Sequence, residues 1–586
     1  MLRPWQRYFS EEALRVLREK RPAVIAINSP TGSGKTLTAL KIAKETLEEG
    51  ISDKVFFLVR TVTQVLAPIR DAERFFGDLK ISPLVGKERS CPVGGGSVSL
   101  CKVCPWRERL PPPPKSWIEI FDWISAWTKR AYCPYMAMKK YVKESDIVVM
   151  PSAYMNPSIF KSLGMDIENT LLIFDEAHNL FNFMRENRLG IRYGISILSQ
   201  SPKLIRGLRD KYPDLAEEMS YYTHLLQRLR DVLKSVEKYK VLRRGIRVPD
   251  IKESLSSELE DLAKVIERIA VKLALESDPL YDLAEKLVGL VDFFTLALDP
   301  QTMVYLDNDT LVVKELKPWI KQYLEKGASG AVLMSGTMPS PKFLKDFIGQ
   351  LDAYLSLLGN DLLRSEYFKL YNPEHVKVFL ITDYTSRYKV RYDKGNVMKR
   401  ELIEEASLKL AKEMKGVALL VYPSYAMLKG VRPTLKVIAK RTGMEILYSE
   451  RGGGAAIMTY AKKLKVCAIA AVAGDQLTEG VELTENGKSL IKVVSIIGAP
   501  FPSPSAFLED VAKSIDKDNY EMILNEIYEE EMIMRVKQAI GRMIRSPEDK
   551  GIVILADYRF REYLKKIVPY RKTIEITSEE FLKVVT

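Results

Sequence analysis

An apolar run, Ala23-Val24-Ile25-Ala26-Ile27-Asn28, passes straight into Ser29-Pro30-Thr31-Gly32-Ser33-Gly34-Lys35-Thr36 and then into a helical pattern through Ala43. Strand, glycine turn and helix in that order build a phosphate-binding loop. The glycines let backbone N–H groups close around phosphate oxygens at a helix amino terminus. The lysine brings a point charge to the terminal phosphates, and the threonine hydroxyl can ligate Mg²⁺. Such a loop commits the segment around it to a parallel sheet covered by helices. Position 29 is Ser where the strict G-x-x-x-x-G-K-[ST] pattern has Gly.

A second apolar strand, Leu171-Leu172-Ile173-Phe174, ends in Asp175-Glu176-Ala177-His178. Asp175 can hold the Mg²⁺ that bridges the β and γ phosphates, and Glu176 can orient and deprotonate an attacking water. A third strand, Val332-Leu333-Met334, ends in Ser335-Gly336-Thr337. Near the carboxyl terminus stands Gln538-Ala539-Ile540-Gly541-Arg542-Met543-Ile544-Arg545. Three residues apart, Arg542 and Arg545 would share a face if helical and could reach a γ-phosphate across a domain interface. These motifs together predict nucleotide hydrolysis.

At 586 residues the chain has room for about three or four domains. With 46% hydrophobic and 28% charged residues it has the material for real cores, which excludes intrinsic disorder. Apolar runs such as Val466 to Ala473 fall far short of the ~20 residues that span a bilayer. The opening residues lack the apolar core of a secretory signal, so the expected compartment is cytoplasmic. A net charge of +13 makes an anionic polymer a plausible partner.

Four of the five cysteines, Cys91, Cys101, Cys104 and Cys133, are grouped, while Cys467 lies in an apolar run and reads as a buried small hydrophobe. Grouped thiols without a secretory signal suggest metal ligation before disulfides. Only Cys101-Lys102-Val103-Cys104 is a C-x-x-C, so spacing alone suits zinc and an iron–sulfur cluster about equally. With only three histidines, His178, His224 and His375, the chain excludes any site needing several imidazoles; the last two read as structural.

With Arg60-Thr61 and Gln64 after the strand Val55 to Val59, Asp146 to Pro151, Glu479-Gly480-Val481-Glu482 and Gly498 to Pro502, the chain resembles the XPD family of superfamily 2 helicases over essentially its whole length. That family also includes the bacterial DinG-type enzymes, and its phosphate loop commonly carries a small residue where this chain has Ser29. Glu482 stands where many relatives have Asp. The resemblance implies an α/β protein with two RecA-like parallel-sheet motor domains, an iron–sulfur cluster insertion and a helical arch insertion both interrupting the first. The implied boundaries are 1–82, 143–199 and 300–338 for the first motor, 83–142 for the cluster domain, 200–299 for the wholly helical arch and 339–586 for the second motor.

The same resemblance implies catalytic roles for Lys35, Asp175, Glu176, Gln538, Arg542 and Arg545. Nucleotide would be bound by Thr31, Gly32, Ser33, Gly34, Lys35, Thr36, Asp175, Glu479 and Gly480, with Mg²⁺ on Thr36 and Asp175. Cys91, Cys101, Cys104 and Cys133 would hold one 4Fe-4S cluster, and Arg60, Thr61 and Lys87 would touch DNA. Trp106, Trp117, Trp123, Trp127 and Tyr132, interleaved with basic residues, suit either base stacking or anchoring in a small core. The implied activity is that of an ATP-dependent 5′-3′ DNA helicase of nucleotide excision repair, a monomer acting on single-stranded and forked DNA beside other repair proteins. The competing reading is an ATP-switched DNA clamp or scaffold that turns over without useful unwinding.

Overall fold

The computed structural model describes residues 2–30, 32–92, 101, 104–156, 160, 164–179, 184, 186–237, 246–248, 250–253, 255, 258–358, 361–370, 372–450, 454–479, 483–544, 548–569 and 572–585. In chain order the first strands are β1 (Ala23–Asn28), β2 (Lys54–Val59), β3 (Ile81–Pro83), β4 (Ile147–Pro151) and β5 (Thr170–Asp175). Four strands of a separate sheet follow, β6 (Glu186–Gly190), β7 (Ile246–Arg247), β8 (Thr302–Asp307) and β9 (Thr310–Glu315), before β10 (Gly330–Ser335) and β11 (Ala353–Ser356).

The first sheet runs β11-β1-β10-β5-β2-β4-β3, parallel throughout. Alternation along each strand feeds two cores. Ile25, Ile27, Val55 and Phe57 pack with Phe9 and Leu40 on one face. Val24, Ala26, Phe56 and Leu58 pack with Trp123, Met138 and Tyr323 on the other. Parallel strands covered on both faces are continuous apolar runs, which is why they were visible in sequence. Register pairs Asn28 with Ser335 and Asp175 with Met334, so the three motif-bearing strands end side by side.

The segment 83–142 has no separate core among the described residues. Ile120, Trp123, Ala137 and Met138 enter the same cluster as Phe56 of β2. Helices Ser201–Arg209, Pro213–Tyr221, Thr223–Glu237, Glu258–Leu275 and Tyr281–Leu298 enclose an independent core of Leu226, Leu229, Leu262, Ile266 and Phe294. Antiparallel strands in the order β6-β9-β8-β7 complete this body, with Leu189, Val304 and Val313 in the same core.

Three expected boundaries therefore shift. Residues 186–199 and 302–315 join the arch instead of the first sheet, and the arch is not wholly helical, because a two-residue Asn308-Asp309 turn, with Asn308 at φ 56°, folds β8 back on β9. At the other end, β11 pairs with β1, so the first sheet continues past residue 338. The half-buried Ala-Tyr-Leu-Ser of β11 is an edge strand with no apolar run to announce it.

The second sheet contains β12 (Val376–Ile381), β13 (Val417–Tyr422), β14 (Ile446–Tyr448), β15 (Cys467–Val472), β18 (Ile491–Ile497), β19 (Gly551–Ala556) and β20 (Thr573–Ile576). Its parallel order is β14-β15-β13-β18-β19-β12-β20; a small hairpin, β16 (Thr484–Glu485) and β17 (Lys488–Ser489), stands apart. Cys467 is fully buried in β15. The helices Ala506–Ile515 and Tyr520–Gly541 straddle the two units. Phe507, Val511, Ile523 and Ile527 lie in a core of the first, whereas Met532, Val536 and Ile540 lie in a core of the second.

Candidate nucleotide site and nucleic-acid surface

The phosphate loop follows β1. Gly32 and Gly34 take φ values of 78° and 99°, the left-handed region that a side chain resists. At Gly34 a Cβ would stand 2.5 Å from Gln6 Nε2, so this position needs glycine twice over. Lys35 is buried, and its ammonium donates to the carbonyls of Ser29 (3.1 Å) and Pro30 (3.2 Å). Ser29 Oγ and Ser33 Oγ are 2.6 Å apart, a contact that a glycine at position 29 would remove. Thr36, half-buried, is the second residue of the helix Lys35–Glu48. Thr31 lies outside the described residues.

Two residues that sequence reasoning missed brace this loop. Gln6 Nε2 donates to Gly34 O at 2.9 Å, and Arg3 Nη1 donates to Ser33 O at 3.0 Å. Gln6 is held by the Arg3 N–H, which donates to its Oε1 at 2.7 Å. Contacts across some 30 residues leave no periodic signal in the chain.

Asp175 closes β5, and Glu176 turns away with φ 54°, an uncommon conformation for a non-glycine residue and a frequent mark of functional sites. Burial, reinforced by the neighbouring Glu176, pushes the Asp175 carboxyl up to about 6, and Lys35 works against that rise. Burial alone would also raise Glu176. The hydrogen bond of His178, with the charges of Lys35 and Arg542, instead holds it well below the ordinary carboxylate range. Glu176 is thus kept ionised, as a base must be.

His178 is the centre of the site and was not assigned a role from sequence. Its Nε2 receives the amide NH₂ groups of Asn179 (2.8 Å) and Gln538 (2.6 Å). With Nε2 accepting, the proton belongs on Nδ1, which faces Ser335 Oγ at 2.7 Å and Glu176 Oε2 at 3.2 Å. One imidazole therefore joins the Asp-Glu strand, the Ser-Gly-Thr strand and the second unit.

The helix carrying Gln538 ends at Gly541, and Arg542 caps it, its Nε donating to Thr478 O at 3.0 Å. Arg542 keeps right-handed helical backbone angles at the cap, and the expected shared face with Arg545 lies outside the described residues. Its charge reaches Glu176. Glu479 ends the short helix Gln476–Glu479, and Gly480, Val481, Glu482 and Arg545 lie outside the described residues.

None of the cysteines is in a disulfide. Burial raises the Cys133 thiol above its ordinary value, and Cys91, Cys101 and Cys104 each add to the rise, so these three lie within electrostatic reach of Cys133. Burial, then Cys101 and Cys133, pushes Tyr135 up to about 12. No group of three or more His, Cys, Asp or Glu among the described residues stands in metal-holding geometry. Residues 93–100 and 102–103 are outside the described set.

Trp123 is nearly buried, donates Nε1–H to Pro112 O at 2.9 Å and meets Trp117 edge-on at 5.6 Å. These two tryptophans are core anchors. Trp127 packs on Tyr132 at 4.8 Å under the Arg130 guanidinium. Arg60 and Thr61 are exposed just after β2, where the Thr61 N–H donates to Gln64 Oε1 at 2.9 Å, and Lys87 heads the helix Lys87–Ser90, half-buried.

A further surface lies beyond β12. Tyr388 and Tyr392 are 79% and 61% exposed, and Arg391 stands between them, 4.6 and 4.7 Å from the two ring centroids. Nearby, Arg387 lies over Tyr558 and Arg559 over Phe501. The alternation Arg387-Tyr388-Lys389-Val390-Arg391-Tyr392 is the sequence signal that could have found it. Beneath it, the fully buried Asp557 accepts from Ser386 N (2.8 Å), Ser386 Oγ (3.0 Å), Thr385 Oγ1 (3.1 Å) and Arg559 Nη2 (2.7 Å). Burial would raise Asp557, but Arg559 outweighs it and holds the carboxyl below its ordinary value.

Asp557→Ala is accordingly expected to cost ~3 to 5 kcal/mol in denaturant unfolding, the scale for breaking a buried charge pair. Because the folded carboxyl is depressed, this contribution is present above the ordinary carboxylate range and is lost as pH falls through the folded value. The wild-type advantage should therefore shrink in acid.

Residues 407–571 match the family described as helicase C-terminal domain, 108–190 the DEAD_2 family, and 1–99 the res subunit of type III restriction enzymes. The chain is 28% identical to the ATP-dependent DNA helicase XPD of Sulfolobus acidocaldarius, over 96% of this chain and 97% of that protein. It is 22% identical to the regulator of telomere elongation helicase 1 homolog of Drosophila ananassae, over 95% of this chain and 70% of that one. A solved XPD helicase structure superposes with a TM-score of 0.72 at 24% identity, covering 98% of this chain and 100% of that chain. With two parallel-sheet units carrying these motifs in this order, the chain is similar in sequence and in fold to the XPD helicases.

Proposed function

We infer that the protein is an ATP-dependent DNA helicase that moves 5′ to 3′ along a single strand and serves nucleotide excision repair. The observation that carries the reading is the 2.6 Å contact of Gln538 with His178, which joins the second unit to the Asp-Glu motif of the first. A nucleotide cleft shared by two units couples hydrolysis to their relative movement. The loop N–H groups and Lys35 would bind the phosphates, and Glu176 would take a proton from the attacking water. Arg542, from the second unit, would meet the charge that develops on the phosphoryl group. His178 would hold Glu176 and Gln538 in one hydrogen-bonded set. Mg²⁺ on the Thr36 hydroxyl and Asp175 carboxylate would supply Lewis-acid stabilisation of phosphate charge.

Four thiols, one of them buried and the other three within electrostatic reach of it, suit a thiolate-ligated centre. With the similarity to the XPD helicases this favours one 4Fe-4S cluster on Cys91, Cys101, Cys104 and Cys133, which would supply a covalent staple when bound. No helix among the described residues is long and apolar enough to cross a membrane.

The test is strand displacement on forked duplexes with one tail. Unwinding from a 5′ tail with ATP is expected. Unwinding only from a 3′ tail would reverse the polarity, and ATP turnover without displacement on either would favour the clamp reading. The Tyr388–Arg391–Tyr392 surface extends the strand's path onto the second unit. Tyr388→Ala or Tyr392→Ala is expected to weaken single-stranded DNA binding by ~1 to 3 kcal/mol without changing its salt dependence. Arg391→Ala should lower the slope of log affinity against log salt by about one. Fluorescence anisotropy across a salt titration reads both.

A further inference from the structure

We propose that Arg247, Tyr305 and Asp510 form a latch through which the arch positions Gln538 and Arg542 at the nucleotide site. This rests on the helicase reading for its purpose, and on the contacts alone for its existence. Arg247 of β7 and Tyr305 of β8 are directly opposite in the antiparallel pair, so their side chains can converge on one acceptor. The acceptor is Asp510, whose side chain is only 3% exposed. Arg247 Nε donates to its Oδ2 at 3.0 Å, and Tyr305 OH donates to the same oxygen at 2.7 Å. One turn earlier, Phe507 meets the Tyr305 ring edge-on at 5.8 Å, with Lys314 of β9 over its face at 4.4 Å. Three strands of the arch sheet thus grip one helix that belongs in sequence to the second unit.

That helix, Ala506–Ile515, is bound stiffly to the next. Asp516 Oδ1 accepts the N–H groups of Asp518 (3.0 Å) and Asn519 (3.1 Å), closing the turn before Tyr520–Gly541. The 22-residue second helix is ~33 Å long. It is anchored near its start by Ile523 and Ile527 in the first unit's core, and it delivers Gln538 to His178 and ends against Arg542. A displacement of the arch therefore has a continuous route to the groups that meet the phosphate. Arg247, Tyr305 and Asp510 act through that route and are positioning residues. A chain of contacts becomes a pathway only when coupling is measured.

The measurement uses the full chain. Tyr305→Phe, which removes one hydroxyl, and Arg247→Gln, which removes the charge, are compared with Arg247→Lys. Hydrogen exchange without nucleotide is expected to speed up at least tenfold for amides 530–541 in Arg247→Gln, with the strands of the second sheet unchanged and Arg247→Lys close to wild type. ATP turnover should fall about tenfold at saturating ATP with KM unchanged. In an Arg542→Ala background, Arg247→Gln should cause less than its tenfold loss, because part of its effect is exerted through Arg542 and the rest through Gln538. Unchanged exchange in 530–541, exchange accelerated uniformly over the chain, or losses that multiply in the double variant would each overturn the latch. A wild-type protein that does not hydrolyse ATP would count against the helicase reading, while the exchange comparison would still decide the latch.

Discussion

Arg542→Ala is expected to reduce ATP turnover by ~10³- to 10⁵-fold, or ~4 to 7 kcal/mol of transition-state stabilisation, the range for a finger arginine. Nucleotide binding should be affected far less, because Lys35 and the loop of the first unit remain. The reasoning is geometric. Arg542 caps the helix that carries Gln538, and its charge already acts on Glu176 across the cleft. Arg542→Lys should recover little, since a point charge on a flexible stem does not reproduce a planar fork. Single-turnover hydrolysis separates binding from chemistry. A near wild-type rate for Arg542→Ala would show that the residue meeting the phosphate has been misassigned.

Cys101→Ser or Cys104→Ser is expected to abolish strand separation while leaving part of the ATP turnover. Losing a ligand should also remove iron and sulfide from the purified protein and bleach its colour. The packing explains why the two activities should part. Ile120, Trp123 and Met138 tie the insertion into the core beside β2, and this anchoring does not depend on the thiols. What the ligands would supply is a tie from Cys91, Cys101 and Cys104 to Cys133, close in sequence to Lys87. Unwinding that survives cluster loss would refute a mechanical role for that tie, and bound zinc without sulfide would refute the cluster. Complete loss of ATP turnover would mean that the cluster is needed to fold the whole first unit.

The sequence exposed the nucleotide chemistry because each motif sits where a buried parallel strand ends, and such strands are uninterrupted apolar runs. Lys35, Asp175 and Glu176 could be placed on that basis alone. The partners that organise them could not, since Gln6 on Gly34 and Gln538 on His178 are contacts without local pattern. The same limit hid the edge strand β11, and it hid the β6–β9 ribbon inside a region dominated by helical stripes. The indoles had looked equally suited to bases and to a core. The Pro112 carbonyl and the Trp117 contact decide for Trp123 in favour of the core.

β1 is flanked by β10 and β11, and the register pairs Ala23 with Gly330 and Ile25 with Ala353. Both neighbours of the strand that launches the phosphate loop are therefore made ~300 residues after it. At ~5 to 20 residues per second, a chain under synthesis holds this apolar strand unpaired for roughly 15 to 60 seconds. The helices between Ser201 and Leu298 make comparatively local contacts and can pack on one another within that interval, whereas the sheet must wait for distant partners. Nascent protein thus carries packed helices beside an unfinished motor, and ATP has no site to occupy until translation has passed the Ser-Gly-Thr strand.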